Sequence, residues 1–253
     1  MTDAKTVKCD TCGGPTTRRI MDLEVASLGK VMRVPIIDCP KCSENADNGV
    51  AQQAEREKRK IDESIRDSIP ERYIEARCMD FGSDIKPILD WIKNPDGFLF
   101  IHGVCGTGKT HLSCAITMDF RRKGRASKLF KGSSIFLELR RSFGSNTGNG
   151  EMDIINRCCG KRTGVMTVNE YQSGPKEKAV HIFDDVGAQK LSDYVVEAWY
   201  DIIDYRYAEC LPTIFSSNLS LKEVSLAMSD RIASRMASGK VVELKGNDRR
   251  LSK

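Results

Sequence analysis

Residues 103–110 read Gly-Val-Cys-Gly-Thr-Gly-Lys-Thr and fit the pattern G-x-x-x-x-G-K-T/S. The chemistry served by that spacing is phosphate binding. Gly103, Gly106 and Gly108 let the backbone curl, so that the N–H groups of Val104, Cys105 and Thr107 can turn toward phosphate oxygens. A helix opening at Lys109 adds the positive end of its dipole. Lys109 would neutralise the β- and γ-phosphates, and Thr110 would offer its hydroxyl to Mg²⁺. His111 sits in the first helical turn and is counted among the nucleotide contacts, with no acid–base role.

A second constellation lies downstream. His181-Ile-Phe-Asp184-Asp185 ends an apolar run in two carboxylates. Asp184 is placed to hold the Mg²⁺ sphere, and Asp185 to orient or deprotonate an attacking water. Asp-Val-Gly is also turn chemistry, so Asp185 has a plain capping alternative. Asn218 closes another apolar run, Pro212 to Asn218, where it could bond the γ-phosphate or the lytic water. Just beyond it, Ser220 and Glu223 have the spacing of a helix capping box.

A third set is metal-like. Cys9-Asp-Thr-Cys12 and Cys39-Pro-Lys-Cys42 are two short knuckles able to place four thiolates around one Zn²⁺. Gly13, Gly14 and Pro40 suit tight turns, and residues 31–38 have strand character, so a β-hairpin between the knuckles is expected. Four cysteines leave no open position for water, which makes the zinc structural. A module this small buries little core, so the metal would supply its folding energy. Cys158 and Cys159 are adjacent and are read as ordinary thiols. Cys78, Cys105, Cys114 and Cys210 are read as small packing residues.

The elements that must carry these groups follow from the pattern. Short apolar runs at Phe98–Gly103, Ala179–Asp185 and Pro212–Asn218 alternate with helical segments at Lys109–Arg122 and Ser192–Tyr207. That alternation predicts a parallel sheet flanked by helices, an α/β P-loop fold. Residues 50–67 are charged, free of Pro, and rich in helix formers, and read as an exposed linker helix. The expected organisation is a zinc ribbon over 1–49, a linker over 50–69 and an ATPase domain over 70–253. Residues 144–178 read as a polar insertion.

Bulk composition agrees. The 253 residues are 40% hydrophobic and 30% charged, with a net charge of +5 and ten cysteines. No apolar run approaches the roughly eighteen residues that a membrane span needs. The polar start lacks a signal peptide, so a cytoplasmic protein with reduced thiols is expected.

These pieces together resemble the DnaC/DnaI-type helicase loaders, with the IstB-type transposition helper ATPases as close relatives. The resemblance rests on both cysteine pairs, residues 69–81, the 103–112 loop, Ile182–Lys190, Asp201–Tyr207, Thr213–Ser220, Asp230–Met236 and Gly246–Arg250. It implies an AAA+ fold, Mg²⁺-dependent ATP hydrolysis, and self-association with nucleotide at subunit boundaries. By this resemblance Asn218 is the sensor 1 residue and Arg250 the sensor 2 residue. Arg235 is the arginine finger, with Arg231 the other candidate. It further implies a hexameric replicative helicase as partner, gripped by the N-terminal module, and single-stranded DNA. For DNA the residues offered are Arg121, Arg122, Lys123, Arg125, Lys128, Lys131, Arg140 and Arg141, with Phe143 to stack on a base; a solvated helix end and loop is the alternative. A transposition helper, a small-molecule kinase and a non-hydrolysing binding module are the rival functions.

Overall fold

A computed structural model of the chain describes residues 6–9, 12, 14–25, 30–142, 150–161, 178–187, 192–246 and 248–249. Two compact units are present, Met1–Asp62 and Glu63–Lys253.

The first unit is a three-stranded antiparallel sheet, β1 (Thr6–Lys8), β2 (Pro15–Val25) and β3 (Lys30–Asp38), in the order β1-β2-β3. Thr17 pairs with Asp38 and Val25 with Lys30, so the expected hairpin is there, and its first strand is long. Helix α1 (Pro40–Ser68) begins ten residues before the expected linker helix. Pro40, read as a turn residue, stands instead at the first helical position. Its fixed φ suits that place, and its missing N–H costs nothing there.

The second unit is built on a five-stranded sheet. After α2 (Lys86–Lys93), its elements run β4 (Phe98–His102), α3 (Lys109–Arg122), β5 (Ser127–Lys131), α4 (Gly132–Ser142) and α5 (Glu151–Cys159). They continue through β6 (Val180–Asp184), α6 (Asp193–Ala208), β7 (Thr213–Ser217), α7 (Leu221–Ala227), α8 (Asp230–Ala237) and β8 (Lys240–Glu243). The strand order is β5-β6-β7-β4-β8, and each paired strand is parallel to its neighbour. The P-loop sheet flanked by helices is therefore as expected.

The central strands are buried, save His102 at the end of β4, because a parallel sheet has helices on both faces. Successive residues point to opposite faces, and the sequence sorts them by type. Phe98, Phe100, Phe183 and Phe215 face α4 to α8 in a core with Phe136 and Trp199. Leu99, Ile101, Ile182 and Ile214 face α2 and α3 in a second core with Trp91 and Phe120. The phenyl rings form a ladder across neighbouring strands. Phe130 stacks on Phe183 at 5.1 Å, and Phe183 on Phe215 at 5.6 Å. Such pairs add to the area they bury.

Two strands of this sheet were not expected. β5 lies inside the basic run, where Leu129 and Phe130 are half-buried against the two cores. β8 closes the other edge. Phe143 and residues 144–149 and 162–177 lie outside the described residues. No helix among the described residues is long and apolar enough to cross a membrane.

Candidate nucleotide-binding site

The parallel sheet sends β4, β6 and β7 toward one edge, and their carboxyl ends carry the candidate residues. β4 ends at His102 and the chain turns through residues 103–108 into α3. Two glycines there are required, Gly103 by contact with backbone and Gly106 by its backbone angle. A Cβ on Gly103 would collide with the Leu244 carbonyl oxygen, and one on Gly106 with the Asp248 carboxylate. Gly106 also has a φ of 85°, a region open to glycine. The Thr107 hydroxyl is buried and donates to the Val104 carbonyl at 3.0 Å, pinning the curl. Lys109 is 7% exposed, and its ammonium donates to the carbonyls of Gly103 at 2.7 Å and Val104 at 2.8 Å.

Asp184 at the end of β6 is 3% exposed and accepts two hydroxyl bonds, from Ser113 at 3.0 Å and Ser216 at 2.6 Å. The next residue, Asp185, has a φ of 61°, which is rare for a residue with a side chain. Its N–H donates to Ser216 Oγ at 3.0 Å, and Asn218 Nδ2 donates to its carboxylate at 3.2 Å. One serine thus ties both aspartates to β7. The capping box is present, with Ser220 and Glu223 bonded reciprocally.

These groups surround a cavity of about 290 Å³. Among the sequence-predicted residues, Cys105, Gly106, Gly108, Lys109, Thr110, His111, Asp185 and Asn218 line it. Gly103, Thr107 and Asp184 stand behind the lining, and Val104 is exposed. Cys105 is exposed too, as is Cys210, so neither packs in a core as expected; Cys114 does and Cys78 does in part, while Cys158 and Cys159, read as ordinary thiols, are buried as well. Burial pushes the thiols of Cys114 and Cys158 up to about 12, which leaves them unreactive.

Five contributors were not singled out from the sequence, Ser216 being the first of them. Arg72 and Tyr73 lie in a short 3-10 turn after α1, Glu71–Tyr73, and line the cavity, as does Arg249. Arg249 lies 4.0 Å over the Phe81 ring and donates to the Asp80 carbonyl at 3.1 Å, while its N–H reaches the Gly106 carbonyl at 3.0 Å. The Asp80 carboxylate bonds the His111 ring at 2.7 Å. The Arg77 N–H, with help from His111, holds that carboxyl below its ordinary range. Arg250, the expected sensor 2 residue, lies outside the described residues. Arg231 and Arg235, on α8, are not among the residues lining their own chain's cavity.

The profile of the IstB-like ATP binding protein family matches residues 52–253. The chain belongs to the IstB-like ATP-binding family. It is 25% identical over 146 residues to the replicative helicase loader DnaC of Escherichia coli K12, an alignment covering 58% of this chain and 52% of DnaC. With the replicative helicase loader DnaI of Bacillus subtilis it shares 25% over 127 residues, covering 50% and 34%. The chain thus spans about half, or less, of the curated relatives it matches. A crystal structure of the DnaC helicase loader superposes with a TM-score of 0.53 at 20% identity, over 70% of this chain and 100% of that one. The shared fold is that of an AAA+ P-loop domain, and this IstB-like chain is accordingly a nucleotide-binding protein by family.

The cysteine cluster belongs to the other unit. The sulfurs of Cys9, Cys12, Cys39 and Cys42 lie within 4.8 Å of one another. Cys9 and Cys42 are 3.6 Å apart, and Cys12 and Cys39 3.5 Å. Four thiolates about 2.3 Å from a common Zn²⁺ would stand about 3.8 Å apart, so the set fits a tetrahedral ion. The Cys9 N–H donates to the Gly14 carbonyl at 2.8 Å, just beyond the β1–β2 pairing. Cys42 stands at the start of α1. Hydrogen bonding to the Cys12 thiol above all, and to Cys9 and Cys39, pushes its pKa up to about 12.

Proposed function

We propose that this chain is an ATP-hydrolysing assembly factor that delivers a hexameric replicative helicase to DNA. The observation that carries the reading is the cavity in which the Lys109 loop, Asp185 and Asn218 converge. A bound triphosphate would draw the Lys109 ammonium off the Gly103 and Val104 carbonyls and onto its β- and γ-oxygens. Mg²⁺ bound with the nucleotide would neutralise charge on those oxygens, and Thr110 and Asp184 are the residues to hold it. Asp185, steadied by Asn218, would orient the attacking water and accept its proton. Tyr73 and Arg249, at the same cavity, would bound the nucleotide's other end. Arg250 keeps its proposed sensor 2 role.

Arg235, with Arg231 as the alternative, would reach the γ-phosphate of a neighbouring copy, so that hydrolysis depends on self-association. The N-terminal module, with Cys9, Cys12, Cys39 and Cys42 around a structural Zn²⁺, would grip the helicase. Cytoplasmic residence follows from that role.

For single-stranded DNA the basic run is narrower than its composition. The Arg121 guanidinium is spent on the Ser64 carbonyl at 2.7 Å, Lys123 pairs with Asp119 at 2.7 Å, and Arg125 reaches the Ile92 and Lys93 carbonyls. Arg122, Lys128, Lys131, Arg140 and Arg141 are exposed and would carry the contact.

A pull-down of the full chain against purified replicative helicases and, in parallel, purified transposases, with and without ATP, tests the reading. Nucleotide-dependent capture of a helicase is expected. Capture of a transposase in its place would move the chain to the transposition branch of its family.

A further inference from the structure

Helix α6 carries Tyr200, Asp204 and Tyr207 at i, i+4 and i+7, a spacing that puts them in one stripe. Helix α8 packs against it through Ile232, Ala233 and Met236, which share a core with Trp199 and Ile203. Arg235, on the same α8 turn, meets the stripe. Its guanidinium is ion-paired with Asp204, lies 5.0 Å over the Tyr200 ring and 5.9 Å from the Tyr207 ring, and donates to Tyr200 Oη at 3.4 Å and to the Arg231 carbonyl at 3.3 Å. Arg235 Nε is buried with no hydrogen-bond partner among the described residues.

We infer that Tyr200, Asp204 and Tyr207 are positioning residues that hold the Arg235 guanidinium in a single pose for delivery to a neighbouring copy's nucleotide. The inference rests on the finger reading of Arg235 given above. A free arginine side chain loses rotamer freedom when it docks, and holding it beforehand moves that loss from assembly to folding. Two rings fix the face of the guanidinium, and one carboxylate and one carbonyl fix its edge. The planar fork makes such a hold specific to arginine. An unpaired buried N–H is costly, and costs of that kind are kept where function requires the pose. Arg235 keeps 23% of its side chain open and Asp204 42%, so the pair lies at a surface another molecule can reach.

The competing explanation is that the ion pair only fastens α6 to α8. The two differ in steady-state ATP turnover by the full chain, measured at saturating ATP and Mg²⁺ across a protein concentration series. Asp204→Asn is expected to lower kcat about tenfold with KM unchanged, the mark of a contact made in the transition state. Asp204→Glu, which restores the carboxylate, should recover most of the loss. Tyr207→Ala, at a half-exposed position tolerant of change, should lower kcat in the same sense. In an Arg235→Ala background, Asp204→Asn should cost nothing further. An equal second loss in that background, or an unchanged kcat in a folded Asp204→Asn protein, would overturn the positioning role. A normal kcat for Arg235→Ala alone removes the finger reading itself, a separate result.

Discussion

The two units of this chain reach a fixed geometry by opposite means. In the nucleotide-binding unit the sheet is sealed by a phenyl ladder on one face and branched aliphatics on the other, with Phe183, Phe215 and Ile214 fully buried. In the N-terminal unit the described residues offer a different device, four sulfurs drawn together at the ends of a hairpin and the start of a helix. A site that must be rigid can rest on burial or on coordination, and the two respond to different insults.

Metal removal should separate them most sharply. A strong chelator, or Cys39→Ser, is expected to unfold the β1–β3 sheet outright, since the proposed structural Zn²⁺ would supply about 10 kcal/mol or more. The thermal transition of residues 63–253 should persist under the same treatment, as followed by circular dichroism. A cysteine unit that kept its strand signal in chelator would break the contrast.

Core truncation should do the reverse. Phe183→Ala removes a ring that stacks on both Phe130 and Phe215, and should cost about 3–5 kcal/mol in denaturant unfolding. Stoichiometric zinc in the N-terminal unit, measured by metal analysis, should be retained.

Acid should sharpen the comparison further. His181 is 2% exposed, and its Nδ1 lies 2.8 Å from the Arg206 guanidinium. Burial first, and the Arg206 charge second, push its pKa down from 6.5 to about 3. The unfolded chain therefore binds a proton that the folded chain refuses between about pH 6.5 and pH 3. This contribution is present above pH 6.5 and is lost as pH falls through that window. His181→Gln keeps an acceptor for Arg206 and cannot titrate, so its melting temperature should fall less steeply from pH 7 to pH 4.5. Parallel pH profiles would remove His181 as the cause.

The contrast also explains what was legible in the sequence. The glycine loop, the paired aspartates and the cysteine knuckles are local, because their chemistry fixes residue type at short spacing. β4, β6 and β7 were legible for a related reason, since strands buried on both faces are continuous apolar runs. β5 was hidden, because Lys128 and Lys131 flank two half-buried residues on an edge strand and the stretch reads as basic. The start of α1 was hidden because Pro40 serves a turn and a first helical position equally well. Arg72, Tyr73 and Arg249 reach the cavity from far apart in the chain, and nothing in their local sequence says so. The cradle around Arg235 joins α6 to α8 and becomes visible once both helices are packed.

Binding of a non-hydrolysable ATP analogue to the purified chain, with Mg²⁺ present and followed by titration calorimetry, tests the central claim most directly. The account predicts one saturable site in the wild-type chain and an affinity at least about tenfold weaker in Lys109→Ala, a loss of about 1.4 kcal/mol or more. Equal affinity in the two proteins, or no binding to the wild type, would contradict it.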